Sequence, residues 1–269
     1  MSKTAGKLRA GIGGWTFPPW RGVFYPEGLR QADELAFASR HLGAIEINAT
    51  YHSLQKPESF AKWAAATPED FIFTVKASRF CTNRRILADA GEAVQRFIGQ
   101  GIGELGPRLG PILWQFMATK RYEPDDFAAF LSLLPKTLAG RPLSHCVEVR
   151  HESFAVPRFV ALCRDHGVAI CASDSANWPL IADVTGDFVY ARLMRGRDEL
   201  EAGYPAEDLR RWSDRLKAWA SGDAPGDLAV LATGGRLPAG PRPVFAFFIY
   251  AGKVRAPAAA MALTRLVAA

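Results

Sequence analysis

Short apolar runs alternate with amphipathic stretches along the whole chain, the pattern of strand and helix units laid side by side in a parallel sheet. Strands are predicted over residues 8–15, 44–48, 71–76, 111–116, 145–150, 168–174, 188–193 and 244–250. Helices are predicted over 32–41, 58–66, 91–98, 124–134, 156–166, 206–220 and 258–267. Asp125 and Asp126 fall in the first turn of the fourth of these, where carboxylates oppose the helix macrodipole. Eight such strands point to an α/β fold, a (β/α)8 TIM-like barrel of parallel strands. The sixth helix is expected to be short or missing, because Asn177-Trp178-Pro179 and Thr185-Gly186-Asp187 leave room for little more than a loop. A Gly- and Pro-rich loop is expected over 232–243, and residues 228–231 before it read as an extra strand. Neither an internal repeat nor a linker interrupts the pattern, so residues 1–269 are read as one domain.

The polar positions inside these strands have their own order. In Cys146-Val147-Glu148-Val149-Arg150-His151-Glu152-Ser153-Phe154, the valines fall on one face while Glu148 and Arg150 fall on the other. A strand lying mid-chain in such a fold is covered on both faces, where charge needs a partner or a task. The same parity recurs: Glu46 and Asn48 alternate with Ile45 and Ile47, Thr74 shares a face with Lys76, and Tyr190 shares one with Arg192. Gln115 and Asp174 end two further strands, so six of the eight turn polar at their carboxyl ends. Those ends converge on the face where barrel enzymes carry their active sites. Two readings follow: a ligand pocket, or an internal ion network in which Glu46, Glu148 and Asp174 neutralise Lys76, Arg150 and Arg192. Trp15, Phe17, Trp20, Tyr25, Tyr51, Trp178 and Tyr250 lie around the same mouth, where one or two could stack on a sugar or a base and the rest would pack.

Several of these stretches together resemble the YecE-like family of uncharacterised TIM-barrel proteins, the domain of unknown function 72. The matching pieces are Gly13-Gly14-Trp15-Thr16-Phe17-Pro18-Pro19-Trp20-Arg21-Gly22-Val23-Phe24-Tyr25-Pro26, Ile45-Glu46-Ile47-Asn48-Ala49-Thr50-Tyr51, Phe73-Thr74-Val75-Lys76-Ala77, Leu109-Gly110-Pro111-Ile112-Leu113-Trp114-Gln115-Phe116, Val147-Glu148-Val149-Arg150-His151-Glu152-Ser153, Ala172-Ser173-Asp174-Ser175 and Asp187-Phe188-Val189-Tyr190-Ala191-Arg192. They occur in the family's order over nearly the whole chain. The resemblance implies the barrel fold and no activity, since the family has no established general reaction. The chain departs from the family pattern at Thr82-Asn83, where a histidine follows the threonine, at Met117-Ala118-Thr119, where a proline pair is usual, and at Phe248-Ile249-Tyr250. Asn83 cannot take the proton-transfer or metal-binding roles open to histidine.

Composition narrows the function classes. With 269 residues, 49% of them hydrophobic, the chain can bury a large core, yet it has no uninterrupted apolar run of roughly 20 residues. No apolar run follows Lys3, Lys7 and Arg9, so neither a signal peptide nor a membrane anchor is expected. Cys81, Cys146, Cys163 and Cys171 are far apart without zinc-finger spacing, which fits free thiols in a reducing cytoplasm. The net charge of +6 favours an anionic partner in a general way. The first candidate is an enzyme acting on a phosphate-bearing or carbohydrate-like anionic small molecule. In it Glu148 is acid or base, Arg150 and Arg192 hold the anion, Lys76 is charge-stabilising or nucleophilic, and Asp174 completes the catalytic set. Trp15, Glu46, Asn48, Tyr51, Gln115, His151, Tyr250 and Lys253 would contact the substrate, with Gly252-Lys253-Val254-Arg255 at the place where barrels often hold phosphate. Glu46, Glu148, Asp174 and His151 lack metal-ligand spacing, so neither a metal nor a cofactor is expected. Neither Ser173 nor Ser175 sits in a nucleophile elbow, which argues against a serine hydrolase. The alternative from another class is a non-catalytic binder of nucleic acid or nucleotides.

Overall fold

The computed structural model of the chain describes residues 5–232 and 240–268, so the first four residues and most of the loop predicted over 232–243 lie outside it. Eight parallel strands close into a barrel: β1 (Leu8–Gly13), β2 (Ala44–Ile47), β3 (Ile72–Lys76), β4 (Leu109–Gln115), β5 (His145–Glu148), β6 (Ala169–Asp174), β7 (Val189–Arg195) and β8 (Val244–Ala251). Each pairs with its neighbours in the sequence, and β8 returns to β1 in the register Leu8↔Val244 to Ile12↔Phe248. Around the strands lie α1 (Glu34–His41), α2 (Pro57–Ala65), α3 (Gly91–Ile98), α4 (Pro124–Ser132), α5 (Pro157–Asp165), α6 (Ala206–Ser221) and α7 (Ala256–Ala268). Pro57, Pro124 and Pro157 each open a helix at its first position, where the missing N–H costs no hydrogen bond.

The pleat sorts each strand into two layers. Ile45, Ile47, Phe73, Val75, Ile112, Trp114, Val147, Ile170 and Leu193 point outward into a continuous layer beneath the helices. Phe127 and Phe154 interlock there edge-on with ring centroids 5.3 Å apart, and Phe154 meets Phe159 at 5.0 Å. Truncating one of these rings would cost about 3–5 kcal/mol. The alternate positions fill the lumen. Ala44, Leu113, Cys146, Ala169, Cys171, Tyr190, Phe245 and Phe247 form a separate buried cluster inside the barrel. All four cysteines are free and buried.

No helix separates β6 from β7, as Pro179 and Gly186 led one to expect. Ile181, Ala182 and Val184 from this segment are buried in the outer layer instead. Asp183 in the same segment accepts the amides of Leu231 and Ala232 at 2.8 and 3.0 Å. The strand expected over 228–231 is therefore corrected to an irregular segment. A closed barrel gives it no free edge to pair with, because β8 is already bonded to both β1 and β7. Several short elements had no sequence forecast, among them the helices Ala49–His52 and Arg79–Thr82, directly after β2 and β3, and a hairpin of Thr137–Leu138 with Arg141–Pro142. Among the described residues no helix is long and apolar enough to cross a membrane.

Candidate functional site

At the carboxyl ends of the strands, the lumen turns from apolar to charged. Arg192 on β7 is buried and reaches across the barrel. Its Nη2 donates to Glu46 Oε1 on β2 at 2.9 Å, and its Nη1 donates to Gln115 Oε1 on β4 at 3.2 Å and to Glu148 Oε2 on β5. Arg150 donates from Nε to Glu148 Oε1 at 2.6 Å and from Nη2 to Gln115 Oε1 at 3.0 Å. Glu46 Oε2 accepts from the Tyr190 hydroxyl at 2.6 Å, which leaves that oxygen to accept from Thr74 Oγ1 at 2.9 Å. Both carboxylates are fully buried, and each of their oxygens accepts a hydrogen bond. Burial alone would raise the Glu148 carboxyl, but the charges of Arg192 and Arg150 outweigh it and hold it below the usual carboxylate range. Arg192 loses solvation too, and Glu148 with Glu46 more than restores its preference for the proton. Glu148 is thus held ionised, as an anchor for the guanidinium groups of Arg150 and Arg192.

Lys76 is different. Thr50 Oγ1, on the short helix after β2, donates to the Lys76 carbonyl at 2.7 Å and fixes where the side chain leaves β3. Among the described residues Nζ has no hydrogen bond and no ion pair, only the Tyr51 ring with its centroid 4.0 Å away. Burial, then the charge of Arg192, lower its pKa to about 8, with Glu46 and Glu148 opposing and Arg150 adding to the fall. Lys253, the other lysine of this region, also has no carboxylate partner among the described residues and rests on the Phe17 ring at 4.3 Å. Both lysines line one cavity of about 380 Å³, with Asn48, Tyr51, Gln115, Arg150, Arg192 and Tyr250. Tyr250 is 71% exposed and holds the left-handed backbone, φ 75°, at the end of β8. A non-glycine residue there stores strain of order 1–3 kcal/mol, a cost often met where a rim side chain must be aimed. Trp178, from the segment that replaces the sixth helix, lies 4.3 Å from the Arg150 guanidinium and 6.4 Å from the Tyr250 ring.

Three expected site residues are not part of this constellation. Asp174 has the parity of Ile170 and Ala172, so it leaves β6 on the outer side. There it accepts from Trp212 Nε1 at 3.1 Å and Tyr204 Oη at 3.3 Å and pairs loosely with Arg195 at 3.7 Å. Burial raises its pKa, and Arg195, Tyr204 and Trp212 offset this only in part. His151 Nδ1 accepts the Ser153 amide at 3.1 Å and caps the turn Glu152–Phe154. Trp15 packs edge-on against Trp63, with centroids 5.0 Å apart, and its carbonyl accepts from the Tyr25 hydroxyl. In the stretch 252–255, expected to hold phosphate, the Arg255 amide donates to Asp198 Oδ1 at 3.2 Å, while Lys253 lines the cavity. Among the described residues no His, Cys, Asp and Glu side chains gather as a group of three able to hold a metal.

Sequence reasoning missed Gly13, His52 and Met194, which also line the cavity. Gly13 carried a usable signal, being a glycine at an inward position: a Cβ there would stand 2.7 Å from Asn48 Nδ2 and 2.9 Å from Ile249 Cγ2. A larger open groove of about 980 Å³ lies to one side of the barrel mouth and includes Asn83 and Met117. Two of the three departures from the family pattern therefore fall in that groove, where Lys120 is neutralised by Asp126 at 2.8 Å. The strand ends do not converge on it, so the smaller cavity is the better candidate.

Comparison with known proteins agrees with this architecture. Residues 9–269 match the family model described as protein of unknown function DUF72. The UPF0759 protein YecE of Escherichia coli K12 is 30% identical over 144 residues, 54% of this chain and 48% of that protein, so the chain spans about half the length of this curated relative. A DUF72 family protein of Thermotoga maritima superposes with a TM-score of 0.73 at 23% identity, covering 97% of this chain and 99% of that one. One of Enterococcus faecalis V583 gives 0.72 at 16% identity, covering 99% of both. SacUVDE gives 0.55 at 9% identity over 97% of this chain and 99% of its own, a likeness of fold alone. With the family model matching from β1 to the end of α7, the chain belongs to the DUF72 family of proteins of unknown function.

Proposed function

We propose that the barrel mouth binds a small anionic molecule, phosphate-bearing or carbohydrate-like, and that the chain acts on it as an enzyme. The observation that carries this reading is a charge count. An inert network would balance three acids against three bases, but Asp174 leaves the lumen and Lys253 joins it. Lys76, Arg150, Arg192 and Lys253 then surround two carboxylates, Glu46 and Glu148, each oxygen of which already accepts one hydrogen bond. Two positive charges remain uncompensated in a partly desolvated cavity, where an anion is held more strongly than at an open surface. Arg150 and Lys253 would clamp the anionic group, while Tyr51, Asn48, Gln115 and Tyr250 offer rings and amides to the rest of the molecule. The likeness to SacUVDE is one of fold and lends no support to nucleic acid as the ligand.

The test is thermal unfolding with ribose 5-phosphate, glucose 6-phosphate and unphosphorylated glucose. Saturation at a hundred times Kd stabilises by about 2.7 kcal/mol, a rise of roughly 5–10 °C for a chain of this size. The expected result is a rise with the phosphates that Arg150→Met or Lys253→Met abolishes. No rise with any of them, together with salt-dependent binding of an oligonucleotide, would replace this reading with nucleic-acid binding.

A further inference from the structure

Lys76 differs in kind from the other cations of the cavity. Arg192 is committed to Glu46, Glu148 and Gln115, Arg150 donates to Glu148 and Gln115 through Nε and Nη2, and Lys253 rests on the rim against Phe17 and Trp20. The Lys76 ammonium sits inside the mouth on a strand end, its backbone carbonyl held by Thr50, and among the described residues no carboxylate or carbonyl accepts from Nζ. Its free valence opens on the cavity. If anion binding were its only role, an arginine or a paired lysine would serve better, because a strongly hydrated ammonium is costly to desolvate.

We infer that Lys76 is a nucleophile that condenses with the carbonyl carbon of a small anionic aldehyde or ketone to form a Schiff base. This deepens the reading above and rests on it, since the anionic group of the substrate would be held by Arg150 and Lys253. In the step, the lone pair of the neutral amine attacks the carbonyl carbon, and the carbonyl π electrons pass to oxygen, which takes a proton from solvent at the open mouth. The carbinolamine then loses its oxygen as water, and the product is a protonated iminium on Nζ. One amine, one carbonyl and one proton become one iminium and one water, with no change in oxidation state. Burial first, and then the charge of Arg192, disfavour the ammonium against the pull of Glu46 and Glu148 and leave more of Nζ as free amine at neutral pH, a known route to an activated lysine. The Tyr51 ring, 4.0 Å from Nζ, would lie along the bound carbon chain.

The experiment incubates the full chain with dihydroxyacetone phosphate or with pyruvate, then adds sodium cyanoborohydride and maps the modified lysines by mass spectrometry. The expected result is one adduct on Lys76. It should form faster than on exposed lysines by on the order of a hundredfold, the ratio of their free-amine fractions at pH 7, and inorganic phosphate should suppress it. Lys76→Arg, which keeps the charge, should lose the adduct. Adducts spread over surface lysines, or unchanged by Lys76→Arg, would overturn the inference. If phosphate stabilises the protein and Lys76 stays unlabelled, the nucleophile falls while the anion site stands. If neither occurs, both fall.

Discussion

Replacing Lys76 by methionine is expected to stabilise the protein without ligand, which is the opposite of what most buried substitutions do. The pKa of this lysine falls from 10.5 to about 8. At about 1.4 kcal/mol per pK unit, holding the ammonium in place costs about 3 kcal/mol. Loss of its contact with the Tyr51 ring returns about 1 kcal/mol of that, so Lys76→Met should gain about 2 kcal/mol, or roughly 4–8 °C in Tm. The pH dependence follows from the direction of the shift. Below pH 8 the lysine is protonated in both the folded and unfolded states, and the full cost is present. Between about 8 and 10.5 the folded state has released the proton that the unfolded state still holds. Wild-type stability therefore rises with pH relative to the variant across that window. Above it the difference vanishes. Urea titrations of both proteins at pH 7, 9 and 10.5 measure this directly, because changes common to the other lysines and tyrosines cancel in the comparison. A variant less stable than wild type at pH 7, or a difference flat with pH, would refute the account of Lys76 as an unpaired, desolvated cation.

Arg192→Met removes the donors shared by Glu46 and Glu148 and should cost about 3–5 kcal/mol in chemical denaturation, since both carboxylates stay buried. Asp174→Asn keeps an acceptor for Tyr204 and Trp212. Because the raised pKa of Asp174 makes wild-type stability fall as pH rises past the ordinary carboxylate range, the variant should lack that fall and match or exceed wild type at pH 7, with the response to sugar phosphates intact. His151→Ala should lose about 1 kcal/mol through the cap on the Ser153 amide and likewise leave ligand stabilisation unchanged. Gly13→Ala should weaken sugar-phosphate binding by about tenfold or more in calorimetry, because the new methyl displaces Asn48 and Ile249 at the cavity wall.

How far the site could be read from the chain depended on whether a side chain's direction is a local or a tertiary property. The period of two placed Glu46, Thr74, Lys76, Gln115, Glu148 and Arg192 in the lumen, because the pleat alone decides which face a strand residue takes. The same rule moves Asp174 outward although it ends its strand, since it is out of step with Cys171 and in step with Ile170. His151 and Trp15 lie beyond the strands, where the pleat no longer applies and turn geometry sets direction. The pairing of Arg150 was half local, since Glu148 lies two residues before it on the same face, and half tertiary, since Gln115 comes from β4, whereas Lys76 has only Thr74 and Ser78 at that spacing. The extra strand over 228–231 failed for a topological reason, closure, that no window of residues contains.

The guanidinium of Arg192 ties together β2, β4, β5 and β7, which come from distant parts of the chain. A cross-brace of this kind sets the width of the opening at that depth, so a bulkier guest cannot be admitted by easing the walls apart. Changes of taste must come instead from the collar above it, where Tyr250, Trp178 and Lys253 can be exchanged while the frame below keeps its shape.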